Sequence, residues 1–418
     1  MDRLVIGGGT RLRGRVRVSG SKNATLPIMA ACLLTNKECV LHQVPDLDDV
    51  KVMEEVLSSL GARIKRENGT LIINPENITS YELPEHMSRK MRASNLVMGA
   101  LLGRFGKARV SYPGGCAIGQ RPMDIHIKGF RELGYRVTEA YGYIEGYAAE
   151  YPHCDIVLDF PSVGATENLM MAAVISNRTT VIRNAAREPE IVDLQNFLNR
   201  MGAKIRGAGL DVIRIEGVRS LHGVEHEVIP DRIEAGTFMA MAASSGGDII
   251  VENVLPEHLG PITAKIREVG AEVIGCNGNA LRVLGNRKLG PVDIKTMPYP
   301  GFPTDMQPQM MALLSGVEGT SVIVETIFEN RFMHANELRR MGADIKVEGR
   351  VAIVKGKRRL HGATVEATDL RAGAALIVAA VGGSGETIID NTHHIYRGYE
   401  RIEEKLQSLG VNARRITV

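Results

Sequence analysis

The sequence predicts an α/β protein of two domains, each made from three copies of one structural repeat. Three observations carry this. At 418 residues the chain is too long for one ordinary core, so two domains of roughly 200 residues are expected. A helix-ending tripeptide recurs six times, as Leu60-Gly61-Ala62, Leu133-Gly134-Tyr135, Met201-Gly202-Ala203, Val269-Gly270-Ala271, Met341-Gly342-Ala343 and Leu409-Gly410-Val411, its glycines 68 to 73 residues apart. Between these glycines the same order of apolar helix, β-branched strand and amphipathic helix returns, and such repetition sets the architecture.

Each repeat opens with an apolar helix rich in Ala, Leu and Met, as in 26–34 or 310–314. Asn36, Gly106, Asn177, Gly247, Gly319 and Gly385 are read as the ends of these helices. A short strand follows, such as Val181-Ile182 or Val322-Ile323-Val324, and then an amphipathic helix such as 50–60. The recurrent glycine is that helix's C′ residue, where a left-handed backbone suits Gly. Two strands around a tight turn close the repeat, and Asn68-Gly69 and Asn277-Gly278 are hairpin signals. After Gly410 only one strand fits, whereas a strand-like segment, 4–18, precedes the first repeat. The N-terminal segment is therefore expected to supply the missing strand of repeat six. One domain is then 22–229 and the other 230–418 plus 1–21. The chain would cross between them twice, which favours a hinged pair with an interdomain cleft.

Composition narrows the function. Lys plus Arg number 51 and Asp plus Glu 48, a formal charge of +3, too small a surplus for a nucleic-acid binder. Trp is absent and aromatics make up 4%, which leaves no stacking platform for single strands. Cys32, Cys39, Cys116, Cys154 and Cys276 show neither paired nor CxxC spacing, so no disulfide framework or structural zinc is expected. No signal peptide is read at the start, and the longest apolar run, Ala374 to Val381, is far short of the ~20 residues that span a bilayer. A cytoplasmic protein without a membrane segment is the expectation. There is no phosphate loop, the Gly7-Gly8-Gly9 run breaks the dinucleotide fingerprint at Leu12, and His393-His394 lacks further metal ligands at useful spacing. No metal and no cofactor are expected.

The repeats differ in two informative places. From the end of the first helix to the recurrent glycine they span 23 to 25 residues, except 28 in repeat two. The extra length lies in a glycine-rich stretch, Tyr112 to Asp124, which carries Cys116 and Arg121. On composition alone this is equally a surface insertion or a catalytic loop. The second place is the start of each first helix, where Ser21, Ser162, Asp231, Thr304 and Asp369 read as N-caps. Lys22, Arg92 and Arg371 also stand there, although a cation opposes the macrodipole at a helix N-terminus. They make sense if an anion is shared between them and the free N–H groups. With Arg331 and Arg397 they suggest a convergent anion site.

These residues resemble a known family. Gly20 to Ala24, Arg92-Ala93-Ser94, Pro113 to Asp124, Ser162 to Thr166, Asn184 to Asp193, Pro303 to Gln307, Phe328 to His334, Thr368 to Arg371 and Arg397 to Arg401 are similar to the MurA-type enolpyruvyl transferases. Those enzymes act on phosphoenolpyruvate and UDP-N-acetylglucosamine in peptidoglycan synthesis. The resemblance spans the chain. It implies two inside-out α/β barrels of three βαβαββ repeats each. It also implies Cys116 as the acid that protonates the phosphoenolpyruvate methylene, Asp305 as the base for the sugar 3′-hydroxyl, and Lys22 and Arg397 as catalytic cations. Phosphoenolpyruvate would be held by Lys22, Asn23, Arg121, Arg331, Arg371 and Arg397. The UDP-sugar would meet Asn23, Arg92, Arg121, Pro122, Met123, Asp124, Ile125, Ser162, Val163, Gly164, Asp305 and Ile327. Phe160 stands where some members carry lysine, so no charge contact is assigned there.

Rival readings are a shikimate-pathway enolpyruvyl transferase, an RNA 3′-phosphate cyclase, and a silent paralogue that only binds UDP-sugar. The cysteine loop and the Asn184–Asp193 stretch oppose the first. The near-neutral charge opposes the second. The presence of Cys116, Asp305 and the arginines opposes the third.

Overall fold

The computed structural model describes residues 2–112, 123–149, 154–286, 288–357 and 359–417, and of Arg92 only the backbone. The described residues separate into two compact units, one from 20–112 with 123–229, the other from 2–19 with 230–417. Among the described residues the strands make six small separate sheets, three in each unit, and none closes into a barrel.

The sheets share one plan. In five of them an edge strand runs parallel to the strand that follows the first helix, and the closing hairpin adds two antiparallel strands. Among the described residues the sheet of repeat two has three strands and only an isolated bridge, Glu82 to Arg109, in the edge position. In repeat three, Cys154–Val157 pairs in parallel with Thr179–Arg183, which pairs with Val212–Glu216 and through it with Lys204–Arg206. In repeat six the third place is taken by Asp2–Gly7, set between Glu386–Asp390 and Ala413–Thr417 with Leu4 opposite Ile389 and Arg415. The N-terminal segment thus completes the truncated repeat. Its second half does something else. Arg13–Arg17 is the parallel edge strand of repeat four, against Asp248–Glu252. Glu225–Glu227 serves repeat one in the same way, against Cys39–His42. Both strands precede a helix of the opposite unit, so each edge strand stays in the unit that the chain is about to leave.

The six recurrent glycines all have a left-handed backbone, with φ between +90° and +112°. The two predicted hairpin turns have positive φ at both residues, and the same turn recurs at Tyr141-Gly142, where no glycine-asparagine signal announces it. The ends of the first helices are less regular than their sequences suggest. Gly106 caps its helix as expected, but the cap of Arg232–Ser245 is Gly246 rather than Gly247. The first helix stops at Ala31 and tightens into a 3-10 turn, Cys32–Leu34, so Asn36 caps nothing. Likewise, Val163–Val174 ends before Asn177.

The first helices form the core of each unit. In the C-terminal unit Arg232–Ser245, Gln307–Ser315 and Leu370–Gly382 pack pairwise against one another, and the last is buried from Leu370 to Val381. A helix that is apolar all round belongs inside. In the other unit Leu96–Phe105 lies against both Lys22–Ala31 and Val163–Val174. A Cβ on Gly99 would stand 2.3 Å from the Asn168 carbonyl, and one on Gly103 2.5 Å from that of Met171, so both positions need glycine. The helices are therefore internal and the sheets external. Among the described residues no helix is long and apolar enough to cross a membrane.

Candidate active site

The C-terminal unit holds a cluster of buried charge. Asp305 lies in a 3-10 turn, Thr304–Met306, at the head of the Gln307–Ser315 helix. Arg331 donates to its Oδ1 at 2.9 Å and Arg371 to its Oδ2 at 3.0 Å. Both guanidiniums are 3% exposed, whereas the Asp305 side chain is 27% exposed. One carboxylate thus faces two buried cations and is itself partly exposed. Arg371 also donates to the Tyr399 hydroxyl at 3.2 Å, which meets Thr237 at 2.9 Å and Gln309 at 3.3 Å. Burial works against the charge of Arg371, but Asp305, Tyr399 and Asp231 outweigh it and hold the guanidinium firmly protonated. Asp369 caps the Leu370–Gly382 helix by accepting from the N–H groups of Arg371 and Ala372. Arg397 ends the short His393–Tyr396 helix. His394 beside it is held below its ordinary pKa by burial, by His393 and by the Arg397 charge.

The other unit carries a simpler pair. Ser21 caps the Lys22–Ala31 helix, so Lys22 is its first residue and Asn23 its second. Lys22 Nζ lies 3.0 Å from Asp49 Oδ2, with both groups buried. The expected anion at this N-terminus is met here by a protein carboxylate. Ser162 caps Val163–Val174 by accepting from Ala165 at 3.3 Å. Gly164 lies against His126, just past 123–125: a Cβ on Gly164 would stand 3.4 Å from the His126 ring, which is itself tied to Asn168 at 3.1 Å. Met123 is buried and Asp124 opens the Asp124–Glu132 helix. Glu167, fully buried in this unit, is pushed well above the ordinary carboxyl pKa by burial, then by the charges of Glu190 and Glu188.

With this geometry in place, comparison with known proteins is decisive. The family model for EPSP synthase (3-phosphoshikimate 1-carboxyvinyltransferase) matches residues 6–406. UDP-N-acetylglucosamine 1-carboxyvinyltransferase 2 of Carboxydothermus hydrogenoformans is 57% identical over 418 residues, covering 100% of both chains. UDP-N-acetylglucosamine 1-carboxyvinyltransferase 1 of Symbiobacterium thermophilum is 56% identical, covering 99% of this chain and 95% of the other. The chain belongs to the UDP-N-acetylglucosamine 1-carboxyvinyltransferase family. Of solved structures, the enolpyruvyl transferase NikO from Streptomyces tendae matches with a TM-score of 0.90 at 27% identity, over 100% of this chain and 99% of that one. EPSP synthase from Acinetobacter baumannii, with a TM-score of 0.76 and 17% identity over 100% of both chains, shares the fold.

Of the residues that the family resemblance marks, the structure gathers Asp305, Arg331 and Arg371 into one centre. Lys22 belongs to the other unit. Cys116, Arg121 and Pro122 lie outside the described residues, as does the Arg92 side chain; the Arg92 backbone opens the 3-10 turn Arg92–Asn95. Sequence reasoning missed Asp49, Tyr399 and Glu325, the last a buried acid beside the Asp305 turn. Asp49 carries no signal beyond an ordinary acidic first turn. Glu325 does carry one, visible when the repeats are aligned. Thr304 does not cap its helix, contrary to expectation, because its hydroxyl is turned to Glu325.

Proposed function

We propose that this member of the family transfers the enolpyruvyl group of phosphoenolpyruvate to the 3′-hydroxyl of UDP-N-acetylglucosamine, releasing phosphate. The observation that carries the reading is identity of 57% along the whole chain to a relative of that named activity. The chemistry of the Asp305 centre supports it. Two buried guanidiniums already hold a carboxylate, which is the geometry that a carboxylate substrate requires.

In this reading a proton from the Cys116 thiol goes to the methylene carbon of phosphoenolpyruvate, making an oxocarbenium-like C2. The sugar 3′-oxygen bonds to C2 and passes its proton to Asp305. The Cys116 thiolate then takes a proton back from the methyl group as the C–O bond to phosphate breaks and the double bond re-forms, and Asp305 gives its proton to the departing phosphate. Arg331 and Arg371 take the substrate carboxylate, which frees Asp305 to act as base. Lys22, Arg121 and Arg397 hold the phosphate. Asn23, Arg92, Pro122, Met123, Asp124, Ile125, Ser162, Val163, Gly164 and Ile327 meet the UDP-sugar. Among the described residues Cys32, Cys39, Cys154 and Cys276 are free thiols, in keeping with a reducing cytoplasm.

The test is phosphate release from phosphoenolpyruvate with purified protein. Release that requires UDP-N-acetylglucosamine is expected, and shikimate 3-phosphate should not replace it. Release with shikimate 3-phosphate alone would sink the reading. A Cys116→Asp variant that binds both substrates yet stays inactive at every pH would remove the proton-donor role.

A further inference from the structure

We infer that Glu325 is a positioning residue of this active site, holding Asp305 through Thr304 and the Ile327–Phe328 turn through two backbone N–H groups. The inference rests on the activity proposed above.

Glu325 is 1% exposed. Its Oε1 accepts from Thr296 Oγ1 at 3.0 Å, Ile327 N at 2.9 Å and Phe328 N at 3.2 Å, and its Oε2 accepts from Thr304 Oγ1 at 3.0 Å. Thr304 is the residue before Asp305. Phe328 presents its ring to Arg331, whose guanidinium carbon lies 5.6 Å from the ring centre. One carboxylate therefore ties down the base and the turn that leads to one of its two arginine partners. Thr296 fastens the same turn a second time, accepting from Thr326 N at 2.9 Å through its hydroxyl and from Thr326 Oγ1 at 2.6 Å through its carbonyl.

Comparison of the repeats shows that this arrangement is special to repeat five. In repeats one, three, four and six the residue after the corresponding strand is Gln43, Asn184, Asn253 or Asn391, each left-handed with φ between +53° and +57°. Two of these are plain structural ties. Asn184 Nδ2 donates to the Leu158 carbonyl and Asn253 Nδ2 to the Val18 carbonyl, each at 2.8 Å, next to the parallel edge strand. Repeat five places Glu325 there, and Glu325 is not among the left-handed residues. A buried carboxylate costs far more to desolvate than a buried amide. It offers only acceptors, however, so every group around it must present a donor, which fixes the Thr304 hydroxyl toward it. An amide would close the fold as well as it does elsewhere; the carboxylate additionally orients the turn that bears Asp305.

The experiment compares Thr304→Val, Thr304→Ser and Glu325→Gln with wild type in phosphate-release kinetics and thermal unfolding. Thr304→Val deletes one hydroxyl, and kcat should fall about tenfold or more, because small displacements of a catalytic group are costly, while KM for both substrates stays within about twofold. Thr304→Ser keeps the hydroxyl and should bring kcat back. In Glu325→Gln the Thr304 hydroxyl can reverse and accept, so kcat should fall less than in Thr304→Val. If Thr304→Val keeps the wild-type kcat, the inference is overturned. It is equally overturned if kcat and unfolding temperature fall together and serine restores neither. A wild-type protein with no UDP-N-acetylglucosamine-dependent release overturns the proposed function as well; an active wild type with an unaffected Thr304→Val overturns this inference alone.

Discussion

Lys22 with Asp49, and Arg371 with Asp305 and Arg331, are two answers to one problem. Each places a cation in the first turn of a buried apolar helix, against the macrodipole. In the Gly20–Ile229 unit the answer is local and neutral, one lysine to one carboxylate from the next helix of the same repeat. In the C-terminal unit one carboxylate serves two guanidiniums and joins repeats five and six. On the proposed function both must open, Lys22 from Asp49 to hold a phosphate and the two arginines from Asp305 to hold a carboxylate. In the second centre two guanidiniums share the one Asp305 carboxylate. The difference teaches that the cations at the helix N-termini are held in unequal ways, one to one with a carboxylate in one unit and two to a shared carboxylate in the other.

The sharpest way to break this comparison is Asp305→Ala. It removes the proposed base and takes from two buried guanidiniums the carboxylate that they share. A loss of about 10²–10⁴ in kcat and of about 3–5 kcal/mol in stability is expected, read by phosphate release and by chemical denaturation. Full stability in this variant would mean that the arginines do not depend on Asp305. Next in size is the lysine pair. Lys22→Met should raise KM for phosphoenolpyruvate about 10–100-fold, the value of a hydrogen bond to a charged group. Asp49→Asn should lower that KM, since Lys22 no longer has to leave a carboxylate; a KM that rises in both variants would show the pair acting as one unit.

The pH dependence of the two units should run in opposite directions. His334, fully buried in the C-terminal unit, is pulled down to about 4 by burial, with the Arg331 charge adding and Asp369 opposing. The unfolded chain binds this proton near pH 6.5 while the folded chain refuses it until about 4, so stability falls as pH drops through that window. His334→Leu should flatten the acid limb of thermal unfolding there. Glu167 in the other unit is raised, and its sign is reversed. Below the unfolded carboxyl pKa both states are protonated and nothing is lost. As pH rises toward the folded pKa the unfolded chain ionises first and stability declines. Glu167→Gln should therefore raise the unfolding temperature by a few degrees near neutral pH and by little in acid. An unchanged temperature at neutral pH would place the burden on Glu188 and Glu190 instead.

Much of the architecture was legible in the sequence because it depends on local rules. The six glycines had to be left-handed, the two Asn-Gly pairs had to turn, and the unassigned segment 4–18 was left to fill the gap in repeat six, which its first half does. Caps at Ser21, Ser162, Asp231 and Asp369 followed from side chains that reach their own backbone. The exchange of edge strands was not legible, since Arg13–Arg17 and Glu225–Glu227 have no local feature that chooses a partner sheet. Tyr141 hid a turn because its left-handed backbone is imposed by the hairpin and not by the residue. In the candidate site, helix-end position and charge singled out Lys22, Arg92 and Arg371, and the family resemblance Asp305, but not what each would bond to.

By itself the sequence determined the repeat, the family and the residue types that can handle anions, because these reside in spacing and in chemistry that a side chain carries wherever it goes. Only the tertiary structure decided that Arg331 and Arg371 share Asp305, that Lys22 rests on Asp49, and that a buried Glu325 stands behind the Asp305 turn. Charge pairing in a buried site depends on distances of about 3 Å between residues far apart in the chain, and only the packing of the core helices sets those distances.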